Sequence, residues 1–276
     1  MKKSVLVTGA STGIGYFTAH QLQRDGYLVI ASCRKTEDVI QLGNEGLHAV
    51  QIDLQDSSSI KDGFNKAMVI CNGKLYGLFN NGAYGQPGAV EDLSRDVLRE
   101  QFETNFFGWC ELTNLALPEM LKQGVGRIIQ NSSVLGISAM PLRGAYNASK
   151  YAIEGISDTL RLELKGTGVH VSLIEPGPIH SDFRKNALEA LIKNVDLSKS
   201  RHEKIYQKAI TRLSKTITTT PFTLGPEAVY KRVLHALESK QPRARYYVTF
   251  PTYLVGYMKR FLPSSLMDKL LLKMGS

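Results

Sequence analysis

The 276-residue chain is 43% hydrophobic and 21% charged, the balance of an ordinary globular protein with length for one large α/β domain. Cys33, Cys71 and Cys110 are far apart and form no Cys-x-x-Cys pair, which argues against a disulfide framework or a thiolate metal site, so no metal and a reducing compartment are expected. The net charge of +9 belongs to the last third, where residues 181–276 hold 18 Lys and Arg against 7 Asp and Glu; that segment lacks interleaved stacking aromatics or a binding motif, so no nucleic-acid partner is expected.

The first apolar run, Val5-Leu6-Val7, is too short for a signal-peptide core or a membrane span, and a cytoplasmic protein is expected. Short strand-like runs follow at Ser4–Val7, Leu28–Ala31, Leu47–Ile52, Leu75–Phe79, Arg127–Gln130 and Val169–Ile174. Amphipathic stretches alternate with them at Ile14–Arg24, Ser57–Ile70, Arg95–Leu121 and Ala145–Leu164. That alternation predicts one doubly wound, mostly parallel sheet with helices on both faces. After Pro176-Gly177-Pro178 a polar, basic, helical insertion over 182–215 is the expected substrate lid. It leads through Thr216–Thr220 to a last helix starting near Pro226 and a strand at Arg245–Thr249, about the seventh. Residues 251–276 form an apolar and basic extension, expected to pack on the body or a second subunit, to cover a lipophilic substrate, or to touch a membrane surface peripherally through 251–274.

Strand one runs directly into Thr8-Gly9-Ala10-Ser11-Thr12-Gly13-Ile14-Gly15. Glycines there allow a tight turn and close approach of a pyrophosphate to the N-terminus of the next helix. Gly9, Ser11, Thr12, Gly13, Ile14 and Gly15 are therefore candidate dinucleotide contacts. Strand two ends in Ala31-Ser32-Cys33-Arg34-Lys35 with no carboxylate at the turn. Arg34 and Lys35 suit a ribose 2′-phosphate, which favours NADP(H) over NAD(H). Asp53, followed by Leu54 at the end of strand three, either hydrogen-bonds an adenine or caps the next helix. Tyr146 and Lys150 lie one helical turn apart on a shared face, where the ammonium would lower the phenol's pKa. With 12 Tyr and 20 Lys, chance alone supplies about one such pair, so its meaning rests on its surroundings.

The glycine-rich turn, Asn80-Asn81-Gly82-Ala83, and Ser133 with Tyr146-x-x-x-Lys150 together resemble the short-chain dehydrogenase/reductase family over roughly residues 4–250. The stretches 144–156 and 172–178 look most like NADP(H)-dependent aldehyde reductases and retinol or hydroxysteroid dehydrogenases of that family. The resemblance implies that Ser133 hydrogen-bonds the substrate oxygen, that Tyr146 exchanges its proton, and that Lys150 lowers the tyrosine pKa and holds the nicotinamide ribose. It implies that Asn105 supports a water-mediated relay to the lysine, and that Asn81, Gly82, Ala83, Pro176, Gly177, Ile179 and Ser181 line the cofactor. Gly82-Ala83 inverts the family's usual Ala-Gly order, and Ser181 stands where many members carry threonine. The expected activity is NADPH-dependent reduction of an apolar aldehyde or ketone in a pocket lined by Val134, Leu135, Met140 and Phe183. The alternatives are an NADP-linked alcohol, retinol or hydroxysteroid dehydrogenase and a non-catalytic dinucleotide sensor. A homodimer or homotetramer is expected through the helices near 95–121 and 144–165.

Overall fold

The computed structural model describes residues 2–214 and 221–275. Lys215, which ends the expected lid, and the Thr216–Thr220 connection lie outside them. In chain order the elements are β1 (Ser4–Thr8), α1 (Gly13–Arg24), β2 (Leu28–Cys33), α2 (Thr36–Asn44), β3 (His48–Gln51), α3 (Ser57–Ile70), β4 (Gly77–Asn80), α4 (Arg95–Phe102), α5 (Gly108–Gln123), β5 (Gly126–Asn131), α6 (Gly144–Glu163) and β6 (Val169–Glu175). Then come α7 (Phe183–Asn194), α8 (Glu203–Leu213), α9 (Glu227–Glu238), β7 (Arg245–Tyr247), α10 (Phe250–Phe261) and α11 (Ser264–Gly275). The seven strands form one parallel sheet in the order β3-β2-β1-β4-β5-β6-β7.

Both faces of this sheet are covered, which is why its strands read as unbroken apolar runs rather than alternating ones. Val5 and Val7 point into a core with Leu22 of α1 and Val229, Val233 and Leu237 of α9. Leu6, between them, points into the opposite core with Phe64 of α3, Trp109 and Leu112 of α5 and Ile153 of α6. The period-2 alternation of side chains thus divides one strand between two cores. Full burial of such a side chain stabilises by about 1.5–3 kcal/mol.

The order reverses at β1, whose neighbours are β2 and β4. Crossovers to opposite faces diverge there and leave a crevice at the carboxyl ends of the strands, the position where open α/β sheets bind ligands. The expected Arg95–Leu121 helix is broken by a π-turn at Glu103–Phe107 between α4 and α5. Such single-turn bulges are frequent at functional sites, and this one carries Asn105. The strand at Arg245–Tyr247 is shorter than the Arg245–Thr249 expected, and α9 is followed by α10 and α11, which form the apolar extension. The α2 helix has no counterpart in the expected set.

The extension packs on the body. Val255, Met258 and Leu262 of α10 and Met267, Leu270 and Leu271 of α11 enclose Val134, Leu135 and Met140. Three of the four expected pocket residues are therefore core partners of the C-terminal helices. Among the described residues, no helix is long and apolar enough to cross a membrane.

Candidate active site

The β1–α1 turn is closed around glycines. Gly9 sits at φ +63°, and a Cβ there would lie 2.5 Å from Gly82 Cα. A Cβ at Gly15 would fall 2.2 Å from Gly9 O, and one at Gly13 (φ +58°) 2.9 Å from Ser181 Cβ. Thr8 Oγ1 accepts the N–H groups of Asn81 (2.8 Å) and Gly82 (2.9 Å). Asn81 Nδ2 donates to Thr8 O (3.0 Å) and Gly9 O (3.2 Å), and Asn131 Nδ2 donates to Asn81 Oδ1 (2.8 Å). The ends of β1, β4 and β5 are thereby laced into one rim. Asn81 spends its side chain on that lacing. The inverted pair has a local reason: a Cβ at 82 would come within 3.0 Å of Leu54 Cδ1 and 3.1 Å of Gly9 N. Ala83 packs at the edge of the core.

α1 starts at Gly13 with Thr12 extended and making no side-chain cap, so its first amide groups are not claimed by the side chain that usually takes them. Ser11 and Ile14 are half-buried on the same turn and Thr12 is exposed. Arg34 and Lys35 are exposed just past β2, whose last residues run alongside β1 and β3. Asp53 does not cap α3. Its Oδ1 accepts the Gln55 N–H (3.0 Å) in a local turn, while Asp56 caps α3 by accepting the Ser58 N–H (2.8 Å). Leu54 is buried beside Gly82 and Gly108. Pro176 is buried, Gly177 meets Thr249 Oγ1, Ile179 bridges Leu224, and the exposed Ser181 stands next to Gly13. These positions fit a dinucleotide: a cradle that a Cβ would fill, an uncapped helix N-terminus, and basic side chains where a ribose would end.

Across the crevice, Ser133 follows β5 and Tyr146 and Lys150 lie on the first turns of α6. Asn147 Nδ2 donates to Leu135 O (3.2 Å) and Ser138 O (2.7 Å), pinning the post-β5 loop to α6 and bringing Ser133 to Tyr146. The Ser133 hydroxyl accepts the Leu135 N–H (3.1 Å) and is near enough to Tyr146 to favour its phenolate. Phe183, at the start of α7, stands edge-on to Tyr146 with ring centroids 5.3 Å apart. Lys150 is 1% exposed. Its Nζ donates to Asn131 O (2.7 Å) and lies 4.2 Å from the centroid of Trp109, whose Nε1 donates to Gly82 O (2.8 Å). Only one of the three ammonium donors is used by this carbonyl, which leaves donors for a ligand.

The protonation of Tyr146 runs against the sequence expectation. Burial pushes its phenol well above the usual value, with only the neighbouring Ser133 hydroxyl pulling the other way. Tyr146 retains some surface exposure, but the wall of protein around its oxygen governs the acidity. Lys150 does not reverse this, for two reasons. Its Nζ is 5.6 Å from the Tyr146 ring centroid. Burial also brings its own pKa down to about 7, the carboxylate of Glu154 opposing. Burial therefore works against charge on both groups.

Asn105 is fully buried in the π-turn. Its Oδ1 accepts the Tyr84 N–H (3.1 Å), and its Nδ2 donates to Tyr84 O (2.9 Å) and Ser149 Oγ (3.3 Å). Its side chain therefore holds the loop after β4 against α6.

Behind Lys150 lies a carboxyl cluster that motif reading missed. Glu154, one turn further along α6, and Glu175, at the end of β6, are both buried around Arg245. Arg245 Nη2 reaches Glu154 Oε2 (3.1 Å) and Asp158 Oδ2 (2.7 Å), and its Nε lies 3.2 Å from Glu175 Oε1. Three carboxyls face one guanidinium, so one retains a proton. Glu175 is pushed up to about 9, first by burial and then by the charge of Glu154. Glu154 is raised by burial too, but the hydrogen bond from Arg245 Nη2 (3.1 Å) and the charge of that guanidinium favour its charged form. We assign the proton to Glu175 and the charge to Glu154. The i, i+4 spacing of Lys150 and Glu154 was the available signal. Asn131, Asn147, Trp109 and Arg245 had none, because their roles depend on neighbours far away in sequence.

A parallel sheet with a glycine cradle at its switch point, and a Ser–Tyr–Lys group across the crevice, defines a nicotinamide-dinucleotide oxidoreductase class. Residues 3–192 match the family model for short chain dehydrogenase. The chain is 42% identical over 271 residues to the oxidoreductase YbbO of Escherichia coli, covering 98% of this chain and 94% of that one. A short-chain dehydrogenase from Streptomyces avermitilis superposes with a TM-score of 0.78 at 25% identity, covering 98% and 96% of the two chains. An actinorhodin polyketide ketoreductase solved with NADPH superposes with a TM-score of 0.72 at 25% identity, covering 90% and 95%. The chain belongs to the short-chain dehydrogenase/reductase family of oxidoreductases.

Proposed function

We propose that the protein is an NADPH-dependent reductase of apolar aldehydes or ketones. The observation that carries this reading is geometric: Tyr146 and Lys150 on α6 face the post-β5 loop of Ser133, which Asn147 pins to that helix, with Phe183 edge-on to the phenol ring. Carbonyl reduction needs an acid at the oxygen, and a phenol that keeps its proton near neutrality is that acid. A bound nicotinamide would supply the hydride. Tyr146 gives its proton to the developing alkoxide, and the Ser133 hydroxyl, held by the post-β5 loop, hydrogen-bonds the same oxygen. In its protonated form Lys150 stands behind the tyrosine, 5.6 Å from the ring centroid, and offsets part of the burial cost of the phenolate left after proton transfer. Asn105 keeps α6 and the loop after β4 in register with these groups. The Phe183 ring against Tyr146 makes one wall of the site apolar, which favours an apolar substrate. A panel of aliphatic and aromatic aldehydes, retinal and steroid ketones, assayed with NADPH and NADH, tests the reading. Failure of every carbonyl to be reduced refutes it.

The cofactor choice rests on Arg34 and Lys35, exposed at the end of β2 where a ribose 2′-phosphate would lie. Arg34→Ala is expected to weaken NADPH by about 10-fold or more, the scale of a charge-assisted pair, while leaving NADH nearly unchanged. Equal losses for both cofactors, measured by titration, would sink the phosphate assignment.

Glu154 raises the pKa of Lys150 through its charge. Glu154→Gln removes that field and lowers the pH at which Lys150 loses its proton. The alkaline limb of the kcat/KM profile should move to lower pH, and an unmoved limb would show that Lys150 ionisation does not control turnover.

A further inference from the structure

A cleft outside the crevice is lined by Arg232 of α9, by Arg243, Arg245, Tyr246 and Tyr247 at the end of the sheet, and by Tyr253, Tyr257 and Arg260 of α10. Arg245 is committed to Glu154 and Asp158. Arg232, Arg243 and Arg260 make no ion pair with any described carboxylate, and no carboxylate lines the cleft. Three arginines lining one cleft with no carboxylate among its lining residues make it positive, suited to a phosphate that can take planar, bidentate hydrogen bonds.

What borders the cleft narrows the source of that phosphate. Along α10, Phe250, Leu254, Tyr257 and Phe261 follow the i, i+4, i+7, i+11 spacing of a single stripe. They are 57%, 39%, 56% and 82% exposed. Phe222, also exposed, sets its ring 4.9 Å from that of Phe250 and widens the patch. The adjoining face of the same helix, about a quarter turn round, is taken up by the core, where Val255, Met258 and Leu262 pack over the post-β5 loop. An apolar stripe turned to solvent is unfavourable unless something covers it. Tyr257 belongs to both stripe and cleft, so the basic well and the apolar stripe adjoin on one surface. A free phosphate would use the well and leave the stripe in water. A phosphate attached to acyl chains uses both.

We propose that this face docks on an anionic lipid surface, with Arg232, Arg243 and Arg260 taking phosphate headgroups and the α10 stripe entering the acyl boundary. The proposal is independent of the catalytic reading, since its residues lie outside the crevice. Deleting the C-terminal helices would uncover Val134, Leu135 and Met140, so the test uses the full chain with exposed-residue variants. The protein is sedimented with vesicles of phosphatidylcholine alone and of phosphatidylcholine mixed with phosphatidylglycerol, at several salt concentrations. Wild type should bind the mixed vesicles, release as salt rises, and ignore the neutral ones. Arg243→Gln with Arg260→Gln should weaken binding about thirtyfold, and Phe250→Ser with Phe261→Ser should weaken it without changing the melting temperature by more than a degree or two. Absence of binding to mixed vesicles, or equal binding by the arginine variants, overturns the proposal. So does stabilisation by inorganic phosphate without vesicle binding, which would mark a free-anion site. An oligomer that dissociates in the arginine variants, again without vesicle binding, would mark an interface between copies and overturn it equally.

Discussion

Tyr146→Phe is expected to lower kcat by about 10³-fold, within the range of general acid catalysis, while the dissociation constant for NADPH changes less than about twofold. The substitution removes one oxygen and leaves the ring that packs against Phe183. Lys150 keeps its bond to Asn131 O and its place over Trp109, so the cofactor side of the crevice is untouched. The loss should therefore appear in kcat at saturating cofactor, not in binding, as befits an interaction made in the transition state. Substantial residual reduction would mean that another group delivers the proton. Ser133 is the candidate to examine in that event, since its hydroxyl stands beside the phenol.

Gly9→Ala should be nearly as damaging by a different route. The new methyl would stand 2.5 Å from Gly82 Cα and 2.9 Å from Gly82 N, both backbone atoms that cannot rotate away, and φ +63° disfavours any side chain there. Together these cost about 2–4 kcal/mol, which lowers Tm by roughly 5–10 °C. The rim tied together by Thr8, Asn81 and Asn131 would have to open, and dinucleotide affinity should fall about 100-fold or more. Gly43→Ala in α2 is the control, because a Cβ there meets nothing within 4 Å and should stabilise slightly through helix propensity. Calorimetry and cofactor titration on the two variants separate a general glycine effect from the specific closure of the turn. If Gly9→Ala binds cofactor as wild type does, the turn does not work as a cradle.

Much of the architecture was legible because its causes are local. The strands announce themselves by β-branched apolar runs, and their burial on both faces follows from that lack of alternation. The glycine turn was readable from its place between a strand and a helix, and the Tyr146–Lys150 pair from its spacing. The π-turn at Asn105 was not readable, since one additional residue in a helical turn leaves the amphipathic pattern almost intact. The extension at 251–276 was read as amphipathic but not placed, because its pattern fits packing on the body, on a partner or on a membrane. The core it forms with Val134 and Met140 involves residues more than 110 positions away.

By itself, the sequence determined the fold class, the family and the identities of the groups that meet in the crevice, since each depends on residue type and short-range spacing. The tertiary structure decided their chemical state. Whether Tyr146 keeps its proton depends on how much protein surrounds its oxygen. Whether Lys150 is fully charged depends on burial beside Trp109 and on the charge of Glu154. That charge depends in turn on Glu175 and Arg245, which arrive from two other strands. Desolvation and pairing are properties of neighbours brought together by folding, and no local pattern in the chain encodes them.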